Sequence, residues 1–313
     1  MDLRQFGSTG LRVSPICLGC MTFGREISEE ASLPIIRYAL EAGIIFFDTA
    51  NVYGKGTSEE IVGRALRDVR DRVVIASKFY GQMSDLPNDR GGSRYHIMNS
   101  VEASLRRLQT DHIDLYQIHR FDPDTPLEET LRTLDDLVSA GKVRYIGCSN
   151  YAAWQIIKAL WVSDLEHLVK FVSVQPRYNL VFREPESDLL PMCLSEKIAV
   201  IPYSPLAGGF LTGKYKPGET MPEGTRLGNV PLYREVYLKD QNFRVVAALA
   251  DYARQRGVPK EQLAIAWVMS HPAVTAPIIG ARTIEQLDTG LKAYELKMTK
   301  EERDAITQFA DEA

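Results

Sequence analysis

Eight short apolar runs, each followed by a stretch with helical periodicity, constrain this chain more than any other feature. They are ICLG at 16–19, IIFFD at 44–48, VVIASK at 73–78, IDLYQIH at 113–119, VRYIGCS at 143–149, FVSVQ at 171–175, IAVIPYS at 198–204 and APIIG at 276–280. Runs this apolar read as strands covered on both faces, the condition of a parallel sheet flanked by helices. Eight such units predict an α/β fold, a (β/α)8 TIM barrel spanning 1–313 as one domain, with a two-domain Rossmann layout as the second choice.

The intervening segments agree. Leu33, Ile36 and Leu40 form a stripe ended by Gly43, with Pro34 marking either a first turn or a kink. Ser93 precedes a helix whose Ile97, Val101, Leu105 and Leu108 share one face, and Leu127, Leu131, Leu134 and Leu137 repeat the pattern before Gly141. Ahead of the first strand, two strand-like arms around Ser8, Thr9 and Gly10 predict an N-terminal β-hairpin that plugs the N-terminal end of the barrel. After strand 7, a long loop over 203–239 is rich in proline and glycine, and this position lays it across the barrel mouth.

Charge and composition narrow the partners. The 313 residues are 45% hydrophobic and 25% charged with a net charge of -4 and no basic run, which points away from nucleic acid and acidic membranes. No signal peptide or membrane-length apolar run is present in the sequence, so a cytoplasmic protein with a small-molecule site is expected. Cys17, Cys20, Cys148 and Cys193 lack the second pair or neighbouring histidine of a zinc site and read as reduced thiols, so no metal is expected. The sequence leaves oligomeric state open.

Four polar residues stand at or just past strand ends: Asp48, Tyr53, Lys78 and His119. Singly each has a plain reading, as a turn cap with Thr49, a loop aromatic, an exposed lysine and a structural histidine. Their coincidence changes that, because barrel side chains at C-terminal strand ends converge on one mouth. An ammonium held by a carboxylate stabilises a phenolate, so Lys78 beside Asp48 would make Tyr53 a usable acid.

The stretch FFDTANVYGKGTSEEIVGRAL at 46–66 resembles the signature of the aldo-keto reductases. LGCMTFG, IASK, DLYQIHRFDPDTPLEET, IGCSNY, VQPRYNLVFRE and YSPLAGGFLTGKY extend the resemblance over nearly the whole chain. PNDRGGSRYHI and HRFDPDTPLEET look like the bacterial-type branch and its relatives, the potassium-channel β subunits. The resemblance implies carbonyl reduction, run in reverse as an alcohol dehydrogenase, in which Tyr53 donates the proton, Lys78 lowers its pKa, Asp48 holds Lys78 and His119 orients the carbonyl or assists the proton. A proton donor needs a hydride source beside it, and no side chain supplies hydride.

That source is implied to be NADP(H), with NAD(H) as the alternative. Ser149, Asn150 and Gln175 would bond the carboxamide, Tyr203 would stack on the ring, and Met21 and Asp48 would lie alongside. Ser204, Leu206, Gly208 and Lys214 belong to the loop that would wrap the pyrophosphate. Gly208 and Gly213-Lys214 also satisfy most of a Walker A spacing, but Tyr215 replaces the Ser or Thr that would bind magnesium. Gly280, Arg282 and Gln286, at a helix start, suit a ribose phosphate. Where the family often has Glu-Asn near adenine, this chain has Thr289 and Gly290. Met21, Tyr80, Phe121 and Trp154 would line an apolar substrate pocket with Tyr53. Two rivals stand beside an aldehyde reductase: a regulatory NADPH-binding protein with slow turnover, and a metal-dependent barrel hydrolase.

Overall fold

The computed structural model describes residues 1–312. Strands β1 (Arg4–Gln5) and β2 (Arg12–Val13) pair antiparallel as the expected hairpin. The parallel strands are β3 (Cys17–Gly19), β4 (Phe46–Asp48), β5 (Val74–Phe79), β6 (Ile113–Ile118), β7 (Val143–Ser149), β8 (Phe171–Gln175), β9 (Ala199–Val200) and β10 (Ile278–Gly280). Their order is β10-β3-β4-β5-β6-β7-β8-β9. A parallel bridge from Val200 to Val274 and a hydrogen bond from Ile278 N to Pro202 O, 2.8 Å, curl β9 against β10 into a (β/α)8 barrel. The seventh run is cut to two residues as a regular strand, because Pro202 has no N–H to continue a ladder.

The helices are α1 (Glu29–Glu41), α2 (Thr57–Leu66), α3 (Arg94–Leu108), α4 (Leu127–Ser139), α5 (Ala153–Glu166), α6 (Leu189–Glu196), α7 (Arg226–Asn229), α8 (Pro231–Tyr237), α9 (Asp240–Arg256), α10 (Lys260–Met269), α11 (Ile284–Glu295) and α12 (Lys300–Asp311). Ser28 and Ser93 cap α1 and α3 by accepting from the Ala31 and His96 amides. The stripes expected on α3 and α4 are buried. In α1 the cap at Ser28 sets Pro34 inside the helix rather than in its first turn, and the buried face is Ser32, Ile35, Ile36 and Ala39, with Leu33 and Leu40 at its margin.

Alternation inside the barrel positions the site. Phe46, Ala76 and Leu115 belong to an apolar layer that the hairpin closes, with Phe6 packed edge-on against Phe46 at 5.7 Å. Two residues further along the same strands stand Asp48, Lys78 and Gln117, on the same face by the two-residue period of a strand. A polar layer therefore sits on an apolar one, toward the C-terminal ends. The segment over 203–239 carries more regular structure than its composition suggests, with 3-10 turns at Ala207–Thr212 followed by α7 and α8. From it Arg226 reaches Met21 and Glu26 on the loop after β3, and Arg282 meets the Gly224 carbonyl, so it crosses the mouth. Among the described residues, no helix is long and apolar enough to cross a membrane.

Candidate active site

Lys78 is the hub. Its side chain is fully buried, and its three N–H groups are all committed: 2.6 Å to Asp48 Oδ2, 2.8 Å to the Thr49 carbonyl and 3.3 Å to the Tyr53 hydroxyl oxygen. Burial pulls its pKa down, but Asp48 and Tyr53 outweigh that and raise it, so the ammonium is charged. Tyr53 follows β4 in a tight turn whose next two residues, Gly54 and Lys55, are left-handed at φ 57° and 52°. Because Lys78 donates to the phenol oxygen, the phenol's own proton is left to point elsewhere.

The acidity of Tyr53 departs from expectation. Burial raises its pKa above the ordinary phenol value, with Lys78 opposing and Asp48 assisting the rise. Lys78 thus limits the penalty of burial rather than producing a net fall. His119 stands edge-on to the Tyr53 ring at 5.8 Å, and its pKa is driven down to about 3 by burial, then by Lys78 and Arg120. At neutral pH it is a neutral imidazole, suited to orienting an oxygen by hydrogen bonding and unsuited to serving as the acid.

The next residues around the barrel form a second group. Ser149 ends β7 and donates to the Gln175 carbonyl at 2.8 Å, while Asn150 donates to the His119 carbonyl at 2.9 Å and to Ser149 Oγ at 3.0 Å. Tyr203 donates to Asn150 Oδ1 at 2.9 Å. Asn150 is left-handed at φ 56° and does not cap α5, whose N-cap is Ala152. Gln175, at the end of β8, turns its amide nitrogen to Asp48 Oδ1 at 2.9 Å, which ties the two groups together.

Beyond them, Ser204 and Ala207 hold φ values of 57° and 52°, ahead of Gly208 at 65°. Left-handed backbone is strained for non-glycine residues and clusters at ligand loops. Leu206 lies in this turn, and Lys214 sits over the Tyr215 ring at 5.2 Å. At α11 the Arg282 amide donates to Gln286 Oε1 at 2.9 Å, one residue pair past Gly280. Arg226 and Arg282 both face Glu26, at 3.2 and 4.0 Å. Arg25 also pairs with Glu26, at 3.1 Å, so three cations against one carboxylate leave this rim positive. Gly290 has a packing reason, since a Cβ there would lie 2.5 Å from Ile279.

Of the expected pocket residues, Phe121 packs on Tyr151 and Trp154 at 5.3 and 6.1 Å. Trp154 itself is 61% exposed on α5, at the outer edge of the mouth. Tyr80 holds φ 116° immediately past β5, with the Arg120 guanidinium 5.9 Å over its ring. Met21 contacts Arg226 through sulfur at 3.9 Å. The site also takes in Gln117, Glu26 and Arg226, which no sequence motif singles out. A glutamine inside the apolar IDLYQIH run was a signal for the first. The other two lie in loops and meet only through the fold. The four thiols are free and buried, and burial raises the pKa of each. No group of three or more His, Cys, Asp or Glu is placed to hold a metal among the described residues.

The family model described as "Aldo/keto reductase family" matches residues 15–311. The chain belongs to the aldo/keto reductases. Among its relatives, the uncharacterized oxidoreductase YrpG of Bacillus subtilis is 40% identical, over 96% of this chain and 93% of its own. Versiconal hemiacetal acetate reductase of Aspergillus parasiticus is 38% identical, over 96% and 95%. A probable voltage-gated potassium channel subunit beta of Arabidopsis thaliana is 37% identical, over 95% and 92%. An aldo/keto reductase of this kind therefore has oxidoreductases and channel subunits among its similar proteins.

Proposed function

We propose that this protein reduces aldehydes or ketones to alcohols, reversibly, with NADP(H), and that Tyr53 is the proton donor. The observation that carries the reading is the spent valence of Lys78: with its three protons on Asp48, Thr49 and Tyr53, it fixes the phenol oxygen and frees the phenol proton for a bound oxygen. The neutral His119 beside the phenol would donate to that same oxygen and set its angle. Burial keeps Tyr53 in its protonated form, as reduction requires.

The donor set suits a nicotinamide dinucleotide. A carboxamide offers one acceptor and two donors, and Ser149, Asn150 and Gln175 present hydroxyl and amide groups beside the Tyr203 ring. When bound, the reduced nicotinamide supplies the hydride. Met21 and Asp48 would flank it, Ser204, Leu206, Gly208 and Lys214 would hold the pyrophosphate, and Gly280, Arg282 and Gln286 the ribose end. The positive rim made by Arg226 and Arg282 favours the additional phosphate of NADP over NAD. Tyr80, Phe121, Trp154 and Met21 favour a carbonyl with an aromatic or aliphatic body.

The test is consumption of NADPH and NADH over a panel of aldehydes, ketones and alcohols. Steady turnover with NADPH is expected, and Tyr53→Phe is expected to lower kcat by roughly 10²- to 10⁴-fold while NADPH still quenches protein fluorescence as before. A Tyr53→Phe protein that reduced carbonyls at the parent's rate would remove Tyr53 from its role. Tight NADPH binding without steady turnover would favour a regulatory role instead, a reading motivated by the similarity to the plant channel subunits.

A further inference from the structure

Gln117 is fully buried on β6, between Lys78 on β5 and Gly147 on β7 in the sheet register. Its amide nitrogen lies 3.4 Å from Asp48 Oδ1, the oxygen that also accepts from Gln175 at 2.9 Å, while Oδ2 takes the Lys78 ammonium. The other end of the amide is left over. Gln117 Oε1 and Ser173 Oγ are both buried without a hydrogen-bond partner. They flank the same glycine: an added Cβ on Gly147 would sit 2.4 Å from Ser173 Oγ and 3.4 Å from Gln117 Cγ. Gly147 thus lets these two side chains pack close beneath the site, with no room there for a Cβ.

An unpaired amide oxygen in a barrel core is unfavourable, and leucine or methionine would occupy similar space without it. Packing alone therefore does not account for glutamine. We propose that Gln117 is a positioning residue, which with Gln175 holds Asp48 Oδ1 so that Oδ2 stays on Lys78 and Lys78 stays on Tyr53. Its consequence for turnover rests on the carbonyl-reductase reading, but its consequence for Tyr53 does not.

The direction follows from charge. Asp48 raises the Tyr53 pKa and Lys78 lowers it, and the Gln117 N–H dipole offsets part of the Asp48 field. The other titratable groups facing this centre are His119 from the end of β6 and Tyr233 from α8, with Cys17 and Cys20 near Asp48 on β3 and just past it. None of them replaces an amide donor on Oδ1. Removing the Gln117 donor shifts Tyr53 ionisation upward in pH.

The experiment compares the parent with Gln117→Met and with Gln175→Met, which removes the other donor on the same Asp48 oxygen, each paired with its own Tyr53→Phe counterpart, so that an ultraviolet difference titration isolates the Tyr53 phenol. Gln117→Met is expected to raise the Tyr53 transition by about half a pH unit or more, and the acid limb of kcat/KM for alcohol oxidation should rise with it. Gln175→Met should move the Tyr53 transition the same way. An unmoved Tyr53 transition in a folded Gln117→Met protein overturns the proposal. If that variant does not fold, an unmoved transition in Gln175→Met does the same. Absence of NADPH turnover in the parent would instead defeat the carbonyl-reductase reading, and the phenol titration would still decide the role of Gln117.

Discussion

At the scale of residues, the site is organised by one buried cation whose every proton has a destination. Lys78→Met removes the charge that opposes burial at Tyr53 and leaves Asp48 with only its amide donors. Two effects are expected together: a fall in kcat of roughly 10²-fold or more, from a weaker and less fixed proton donor, and a stability loss of about 3 to 5 kcal/mol, from a buried carboxylate deprived of its ion partner. Steady-state kinetics and urea denaturation on the same preparation check both. Retained activity would show that Lys78 only fills space. The polar strand-end residues were legible in the sequence because they interrupt apolar runs. The net direction at Tyr53 was not, since it depends on how deeply the fold buries the phenol, and no spacing reports that. Gln117 interrupts an apolar run in the same way, yet its partner Asp48 is two strands away in sequence order.

At the scale of elements, the barrel was legible because strands covered on both faces leave an unmistakable apolar trace, and seven of the eight runs contain their strand, the third being overrun by one residue at Phe79. The trimmed ends have local causes such as Pro202. The crossing of the mouth by 203–239 was expected from its place after the seventh strand, but its anchors, Glu26 to Arg226 and Gly224 to Arg282, are pairings between distant loops. The hairpin shows how an element remote from the site supports it. Phe6 is fully buried against Phe46, two residues before Asp48 on the same strand. Phe6→Ala is expected to lose about 3 to 5 kcal/mol of stability, as large aromatic truncations in a core do. The apolar layer separates the cavity from the mouth, so kcat per folded molecule should stay close to the parent's. Denaturation midpoints and kinetics below the transition test this, and a kcat loss as large as that of Lys78→Met would mean that the plug sets the geometry of Asp48.

At the scale of the whole molecule, burial imposes a common state on histidines in three separate places. His96 in the first turn of α3, His119 at the mouth and His271 beside α12 are all held below the ordinary imidazole value, the last two at about 3 and about 4. Burial is the first cause in each. Lys78 and Arg120 add to it at His119 and Arg303 adds to it at His271, while Asp89 at His96 and Glu186 at His271 oppose it. Arg303 is itself part of the clasp that fastens α12, donating to Tyr178 at 2.7 Å and Glu186 at 3.1 Å over the Trp267 ring. In the unfolded chain these histidines take up protons below about pH 6.5, while in the folded protein His96 stays neutral to lower pH and His119 and His271 to about 3 and about 4. The unfolded state therefore binds more protons in this window, and stability is fully present above about pH 6.5 and falls as pH drops toward the folded values. Each histidine contributes a slope of up to about 1.4 kcal/mol per pH unit. Urea denaturation between pH 7 and pH 5, above the carboxylate range, should show this loss, and His119→Asn should reduce its slope by about one proton's share. A stability that stayed level from pH 7 to pH 5 would mean that the histidines are charged in the folded protein, and the role proposed for His119, a neutral donor to a substrate oxygen, would then fail.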